Sequence, residues 1–136
     1  MAARSKARKR ALDILFEADV RSVPVLELLD ERTAAADPPV SGYAAELVRG
    51  VQEHREQIDR LLAAHAHGWT LDRMPAVDRS ILRIGAFELL WQDDVPDAVA
   101  ISEAVALAGE LSTDESSAFV NGLLGRLLEL KPTMTL

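Results

Sequence analysis

One stretch, Pro75–Trp91, constrains the fold more than any other part of the sequence, because its apolar residues surround the whole helix. At 100° per residue they leave no wide polar face, which is typical of a helix buried on all sides. Pro75 suits the first helical position, where no N–H is needed, and Asp78 places negative charge in the first turn. The stretch therefore predicts a central helix, with apolar positions Val77, Ile81, Leu82, Ile84, Ala86, Phe87, Leu89, Leu90 and Trp91.

Two residues inside this helix predict what packs against it. Glu88 projects among apolar positions, and a buried carboxylate must be paired or hydrogen-bonded. We therefore expect an Arg side chain or a helix N-terminus beside Glu88. Gly85 costs about 1 kcal/mol relative to Ala in a helix interior, and the close crossing of another helix would explain it. The same close packing is expected of Gly122 and Gly125 on the last helix.

The rest of the chain also shows helical spacing, without the alternating runs or the Asn-Gly and Asp-Gly turns that indicate strands. One short turn is predicted in the connector Trp69–Met74. Ser41 is the predicted N-cap of the third helix, and Ser112 with Glu115 has the spacing of a capping box. The predicted helices are Ser5–Arg21, Pro24–Ala35, Ser41–His65, Pro75–Trp91, Asp97–Leu111 and Ser112–Leu130.

Length and composition predict one domain and exclude several classes of chemistry. The chain has 136 residues, enough to bury a real core, and it has no cysteine. Disulfides, thiolate catalysis and Cys-ligated metals are therefore excluded. The first residues lead into no apolar segment with a cleavage site, and no run of about 18 apolar residues occurs. We expect a cytoplasmic protein that makes no membrane contact.

Charge is segregated along the chain, and the basic start is the most informative feature for function. The chain has 15 Lys and Arg against 22 Asp and Glu, yet its first ten residues hold five bases and no acid. Bases in the first turns of a helix oppose its dipole and repel one another, so helix stability does not explain them. Clustered bases instead suit the phosphates of a nucleic acid. We name these residues the basic arm: Arg4, Lys6, Arg8, Lys9 and Arg10.

Phe16 projects off the apolar stripe of the first helix, next to Lys9 and Asp13. An aromatic ring beside bases is what single-stranded RNA binding requires, because nucleobases stack on the ring. The alternative is a basic tail that only increases solubility, with Phe16 covered by a neighbouring helix. The apolar stripe itself is predicted to be Ala7, Ala11, Ile14, Leu15 and Ala18.

No group of residues has the arrangement of a catalytic or metal site. His65 and His67 point to different faces of a helix and make a poor metal pair. Asp72 and Asp78 show no sign of the divergent pKa values that acid–base catalysis requires, so contacts to a basic partner or to helix starts explain them better. Asn121 is either a buried hydrogen-bonding residue or an RNA contact. We expect no enzyme, no cofactor and no metal.

Four ordered motifs span nearly the whole chain: the R-x-K-x-R-K-R arm leading into ALDILFEAD, VDRSILRIGAFELL, DVPDAVAISEAVALAGELST and SSAFVNGLLGRL. Together they resemble the bacterial NusB family of transcription factors. The resemblance implies a single NusB domain with an all-α fold, in which two small bundles of about three helices pack roughly perpendicular. It places the boundary near Gly68, between an N-terminal subdomain (residues 1–68) and a C-terminal subdomain (residues 69–136).

The resemblance also implies a function. Members bind the single-stranded boxA sequence in RNA of ribosomal RNA operons, together with NusE, a ribosomal protein of the small subunit. The pair helps build an RNA polymerase antitermination complex that passes Rho-dependent terminators, and no reaction is catalysed.

By position, the resemblance assigns roles to the basic arm and to four other residues. The basic arm would hold RNA phosphates, and Phe119 would lie at the RNA face. Phe16 would lie where RNA and NusE meet. Asp72 and Asp78 would face NusE.

Three alternatives accompany this interpretation. The acidic body could bind a basic ribosomal protein without direct RNA recognition, which would make the chain a protein–protein adaptor. A homodimer could bury part of the RNA face, since the family includes monomers and homodimers. An RNA-modifying enzyme is disfavoured, because no Gly-rich cofactor loop follows a strand. The RNA interpretation requires that the basic arm is not locked in intramolecular carboxylate bridges far from any open aromatic ring.

Overall fold

The computed structural model describes residues 2–136, and this part of the chain contains helices, turns and loops but no strand. The predicted all-α fold is confirmed. The helices are α1 (Ala2–Arg21), α2 (Val25–Ala35), α3 (Gly42–Glu53), α4 (Arg55–His65), α5 (Ala76–Trp91), α6 (Asp97–Leu111) and α7 (Asp114–Leu130). Short 3-10 turns precede α5 and follow α7, at Leu71–Arg73 and Lys131–Thr133.

Helix α5 lies at the centre of the molecule, as its all-round apolar pattern predicts. Every residue from Ser80 to Leu90 is buried, and the helix contacts α1, α3, α4, α6 and α7. Pro75 is the N-cap and not the first helical residue, and its carbonyl accepts a hydrogen bond from the backbone N–H of Arg79 at 3.1 Å. Since neighbours on all sides exclude water from α5, burial of its apolar residues makes a large contribution to stability.

The other helices form two groups around α5, in agreement with the predicted arrangement of two bundles. Helices α1, α2 and α3 pack together, while α6 and α7 pack on each other and on α5. Helix α4 contacts both α5 and α7 and so connects the groups. One continuous apolar core runs through both, from Ala7 to Leu127. The predicted boundary near Gly68 does not interrupt this core, and the division into two subdomains stays a prediction.

Ion pairs also join α1, α4 and α5. Arg79 on α5 binds Asp19 near the end of α1, with a nitrogen–oxygen distance of 2.7 Å. Arg83, which is buried on α5, binds Asp59 on α4 at 2.9 Å. These pairs provide partners for charged side chains on an otherwise apolar helix.

The predicted third helix is wrong in one respect, because the structure divides it into α3 and α4 at His54. The backbone of His54 leaves the helical region, with φ −102° and ψ 13°, and its ring stacks on Trp91 at 4.2 Å between centroids. The break allows Ile58 and Leu62 of α4 to enter the core. The predicted N-cap is confirmed, since Ser41 Oγ accepts a hydrogen bond from the N–H of Ala44 at 3.2 Å.

The predicted capping box of the last helix is also wrong, by one residue. Thr113, and not Ser112, is the N-cap, and its Oγ1 accepts a hydrogen bond from the N–H of Ser116 at 3.0 Å. Glu115 is exposed. Both Ser112 and Thr113 are good N-cap residues, so the choice depends on where tertiary packing starts the helix.

Of the three glycines predicted to allow close helix crossings, one lies at such a crossing and two do not. A Cβ on Gly85 would lie 2.7 Å from Leu124 and 3.2 Å from Ala104, so the predicted close helix crossing is confirmed. The same prediction is wrong for Gly122 and Gly125, where a Cβ would meet no atom within 4 Å. The buried role of nearby Asn121 is wrong too, because this residue is exposed. The outer face of α7 is thus bare of large side chains at these positions.

Among residues 2–136, the structure has no helix whose length and apolar character would let it span a membrane.

Candidate nucleic-acid interface

The basic arm lies on the first turns of α1, and its side chains reach α3, α5 and α6. The structure separates its five bases into three kinds. One is buried in the interior, two form exposed ion pairs, and the other two differ in how accessible their side chains are to solvent.

Arg8 lies in the interior, with 2% of its surface exposed. Its Nε donates to both carboxylate oxygens of Glu88, at 2.8 and 3.0 Å. The Tyr43 hydroxyl donates to the same carboxylate, and a terminal nitrogen of Arg8 lies 3.3 Å from Glu103. The expected Arg partner of Glu88 is therefore confirmed, and it comes from the basic arm.

The burial of Arg8 corrects its predicted role as a phosphate contact. To reach a phosphate, the guanidinium would have to leave Glu88, and the buried carboxylate would then lose its counter-charge. Arg8 instead docks the start of α1 onto the central helix α5. It thereby holds the neighbouring bases of the arm in place.

Tyr43 on α3 connects this buried pair to the surface. Burial, together with the hydrogen bond to the Glu88 carboxylate, raises the pKa of Tyr43 to about 12. On the outer side, the Arg4 guanidinium lies 4.2 Å from the centroid of the Tyr43 ring in a cation–π contact. No motif in the sequence marks Tyr43 as part of this site, because the contact depends on how α1 packs against α3.

Arg4 and Lys9 form ion pairs that remain accessible to solvent. Arg4 binds Asp94, in the loop before α6, at 2.8 Å, and Lys9 binds Glu110, at the end of α6, at 2.6 Å. The Arg4 and Lys9 side chains are 37% and 48% exposed. The hydrogen bond to Glu110 raises the pKa of Lys9, and the hydrogen bond from Arg4 lowers the pKa of Asp94. Exposed ion pairs contribute little to stability, so a phosphate can replace these carboxylates.

Lys6 and Arg10 differ in accessibility. Lys6 is exposed, and within the described chain no carboxylate lies within 4.0 Å of its ammonium group. The Arg10 side chain is only 14% exposed, and it donates to the carbonyl of Pro38 at 3.3 Å and lies 4.0 Å from Asp13. Lys6 is therefore the most available cation of the arm, and Arg10 is held against the loop between α2 and α3.

Phe16 is 39% exposed on the outer face of α1. The alternative in which a neighbouring helix covers its ring is therefore wrong. Lys6, Lys9 and Asp13 are exposed on the same stripe, at helical spacing from Phe16. The structure thus brings two exposed lysines and an exposed aromatic ring together on one face of a helix.

Phe119 lies at a different place, on α7, half-buried against the core. Its ring contacts the ring of Trp69 edge to face, with centroids 5.2 Å apart and planes at 63°. Within residues 2–136 no recorded ring or hydrogen-bond contact joins Phe119 to the basic arm. Trp69, which is 41% exposed, was not predicted as a site residue, because its exposure and its contact with Phe119 depend on tertiary packing.

The two predicted acidic partner contacts have opposite environments. Asp72 is exposed, and a hydrogen bond from the Thr70 side chain lowers the pKa of its carboxyl. Asp78 is fully buried, and its Oδ2 accepts a hydrogen bond from Ser116 Oγ at 2.7 Å. The predicted partner contact of Asp78 is therefore corrected, because the carboxylate joins the start of α5 to the start of α7. Asp72 alone of the two lies where a partner can touch it.

The acidic residues that face the basic arm were missed by the sequence analysis. Glu103 and Glu110 lie one heptad apart on α6, so they share a face of that helix, and Asp94 precedes it. The spacing on α6 is visible in the sequence. That this face meets α1 is a matter of tertiary packing.

In the described residues, no group of three or more His, Cys, Asp or Glu side chains is arranged to hold a metal ion.

Comparison with known proteins gives the same family over nearly the whole chain. The model of the NusB family matches residues 5–129. The transcription antitermination protein NusB of Thermobifida fusca is 61% identical over 133 residues, which cover 98% of this chain and 94% of that protein. A solved structure of T. maritima NusB has a TM-score of 0.81 and 31% identity, covering 93% of this chain and 90% of that one. A crystal structure of the antitermination factors NusB and NusE in complex with double-stranded RNA has a TM-score of 0.83 and 27% identity, covering 95% and 98%.

Proposed function

Since this chain belongs to the NusB family of transcription antitermination proteins, we propose that it binds boxA RNA of ribosomal RNA operons together with NusE. In this function it is a cytoplasmic component of the RNA polymerase antitermination complex and helps the polymerase pass Rho-dependent terminators. As a member of this family it is not an enzyme.

The exposed face of α1 is the observation that carries the RNA proposal. Lys6, Lys9 and Phe16 lie on one stripe, where ammonium groups can neutralise phosphates while the ring stacks on a base. This combination suits unpaired RNA, whose bases are free to leave their own stack. Phe119 offers a second aromatic contact on α7.

The ion pairs of the basic arm are compatible with this function, because they are of two kinds. The Arg8–Glu88 pair is buried and holds α1 in place. The pairs of Arg4 and Lys9 are exposed, so an RNA phosphate exchanges for a carboxylate without uncovering a buried charge. Of the arm, we assign phosphate contacts to Arg4, Lys6 and Lys9, with Arg10 contributing at the edge.

Asp72 supports the proposed contact with NusE. Its carboxylate is exposed in the turn before α5, and its lowered pKa keeps it ionised at neutral pH. The chain carries a net charge of −7, which complements a basic ribosomal protein. Phe16 on α1 supplies exposed aromatic surface for the same proposed contact.

The RNA proposal is tested by titrating the protein with a boxA oligonucleotide and a scrambled oligonucleotide over a range of salt concentrations. The logarithm of the association constant should fall with the logarithm of salt, by about 0.7 per phosphate contact in a single strand. Lys6→Ala and Lys9→Ala should each reduce this slope by about 0.7. Arg21→Ala, at the far end of α1, removes an exposed charge from the same helix and should leave the slope unchanged.

If Lys6→Ala, Lys9→Ala and Arg21→Ala all keep the salt slope of the wild type, the basic arm is not part of the RNA interface. Binding of NusE without any RNA binding would instead select the protein–protein adaptor. In that case Asp72→Asn should still weaken the association with NusE, while the lysine variants should not.

A further inference from the structure

Trp69 and Phe119 leave an open aromatic surface that the proposed contacts of the basic arm do not use. Trp69 lies in the connector between α4 and α5, and 41% of its surface is exposed. Its ring packs against that of Phe119 with centroids 5.2 Å apart and planes at 63°, and the exposed part of the indole is open to solvent. An indole ring left in water forgoes the stabilisation that burial of its large apolar surface would give.

A groove of about 340 Å³ lies beside Phe119, the partner ring of Trp69. Its lining includes His65, His67, Phe119, Gly122, Arg126 and one carboxylate, that of Glu129. No atom lies within 4 Å of where a Cβ on Gly122 would be, so the surface of α7 is bare at that point. A flat ring can therefore approach the helix backbone without displacing a side chain.

The polar groups at the groove suit a nucleotide. Arg126 is half exposed, and its contact with Glu129 is a loose one of 3.5 Å. A guanidinium can stack on a base or bind a phosphate, and the two imidazoles add hydrogen-bonding groups.

We propose that Trp69 and Phe119, with Arg126 at the groove, form a second stacking site for bases of single-stranded RNA. This inference rests on the proposed function, since it concerns the same RNA. It adds Trp69 and Arg126 to the residues that hold the strand. Stacking on an aromatic pair tolerates any base, so the site contributes affinity more than sequence specificity.

The chain allows a direct optical test, because it contains only two tryptophans. Trp91 stacks on His54 and lies away from the groove. In Trp91→Phe all indole fluorescence comes from Trp69, and a boxA oligonucleotide should quench it at saturation. In Trp69→Phe the remaining emission should not respond to RNA. If Trp91→Phe folds poorly, the difference between the wild type and Trp69→Phe gives the same signal.

Affinity provides the second readout. Trp69→Ala should weaken RNA binding about tenfold, within the range measured when stacked aromatic residues are replaced by Ala. Trp69→Phe should retain most of the affinity, because a smaller ring still stacks. The salt slope should stay as in the wild type, which separates stacking from the phosphate contacts of the arm.

Each outcome is informative. If RNA binds through the basic arm but Trp69 emission and affinity are insensitive, the stacking site is wrong and the RNA function stands. If no RNA binds at all, both proposals fail. If Trp69 emission changes with protein concentration in the absence of RNA, a second copy of the chain covers the patch, and the stacking site is overturned.

Discussion

At the scale of single residues, the Glu88 carboxylate is the most demanding group in the interior. It receives hydrogen bonds from Arg8 and from the Tyr43 hydroxyl, and 1% of its surface is exposed. A buried ion pair adds little stability compared with apolar residues of the same size, but losing one partner is costly. The cluster therefore determines where α1 docks more than how stable the fold is.

Replacing Glu88 with Gln should lower the free energy of unfolding by about 3 kcal/mol, because the buried Arg8 guanidinium loses its counter-charge. Urea denaturation followed by circular dichroism measures the change. Glu129→Gln breaks an exposed pair with Arg126 and should shift the free energy of unfolding by less than about 0.5 kcal/mol. A similar small loss for both variants would show that the Arg8–Glu88 pair is not buried in solution.

Tyr43 makes stability depend on pH in the alkaline range. The pKa of its hydroxyl is about 12 in the folded protein and about 10 in an unfolded chain. Because the unfolded form loses this proton first, the contribution is complete below pH 10 and is lost as the pH rises to about 12. The free energy of unfolding should fall over this window, and the fall should be smaller in Tyr43→Phe.

The chain has a single tyrosine, so the absorbance of phenolate reports this group alone. A folded-state midpoint near pH 10 would contradict the buried hydrogen bond to Glu88.

In the proposed function Glu110 competes with RNA for Lys9, since the two side chains pair at 2.6 Å. Glu110→Gln should therefore raise the affinity for boxA RNA by about threefold, the scale expected for release of an exposed ion pair. Glu53→Gln makes the same charge change on α3, away from the arm, and serves as the control. Equal affinities for the two variants would show that the Lys9–Glu110 pair does not restrain the arm.

At the scale of helices, the crossing of α5 with α6 and α7 depends on the missing side chain of Gly85. A methyl group there would lie 2.7 Å from Leu124 and 3.2 Å from Ala104, both of which are buried. Gly85→Ala should lower the free energy of unfolding by about 1–3 kcal/mol, because overpacking exceeds the gain in helix propensity.

Gly125→Ala is the matched control, since its Cβ would meet no atom within 4 Å. It should raise the free energy of unfolding by about 0.5–1 kcal/mol. Opposite signs for the two substitutions in urea denaturation would support the close crossing. A gain in both would contradict it.

At the scale of the molecule, the basic arm on α1 lies against the acidic face of α6, so that opposite charges pair between them. The basic arm is docked at its centre by Arg8 and paired at its rim by Asp94 and Glu110. The anionic body thus holds the arm in place while its outer bases stay accessible. In the proposed function, an RNA strand displaces only the exposed carboxylates of Asp94 and Glu110.

The continuous core predicts one cooperative unfolding transition for the whole chain. Helix α5 contributes residues to both groups of helices, so neither group keeps its apolar surface covered when the other unfolds. In Trp69→Phe, far-ultraviolet circular dichroism and the fluorescence of Trp91, which is then the single tryptophan, should give coincident urea curves. Two separated transitions would indicate that residues 1–68 and 69–136 unfold independently.

The sequence alone was enough for those features that depend on neighbours along the chain. The apolar pattern of Pro75–Trp91 predicted a central helix, and the position of Glu88 within it predicted an Arg side chain or a helix N-terminus beside it, of which the structure has the Arg. The helical projection likewise placed Phe16 outside the core stripe, where the structure has it. Helical periodicity and the cost of burying a charge depend only on the local sequence, and the structure confirms these three predictions.

Tertiary structure alone decided which distant residues meet. Arg8 and Glu88 are 80 positions apart, and helical spacing places Arg8, like Arg4, on the side of α1 that carries Ala11 and Leu15 but does not say which helix it meets. The burial of Asp78 against Ser116 and the pairing of Trp69 with Phe119 depend in the same way on the packing of α4, α5 and α7. A side chain becomes a surface contact or a buried partner according to the helix that crosses it, and that crossing is set by the packing of the whole core.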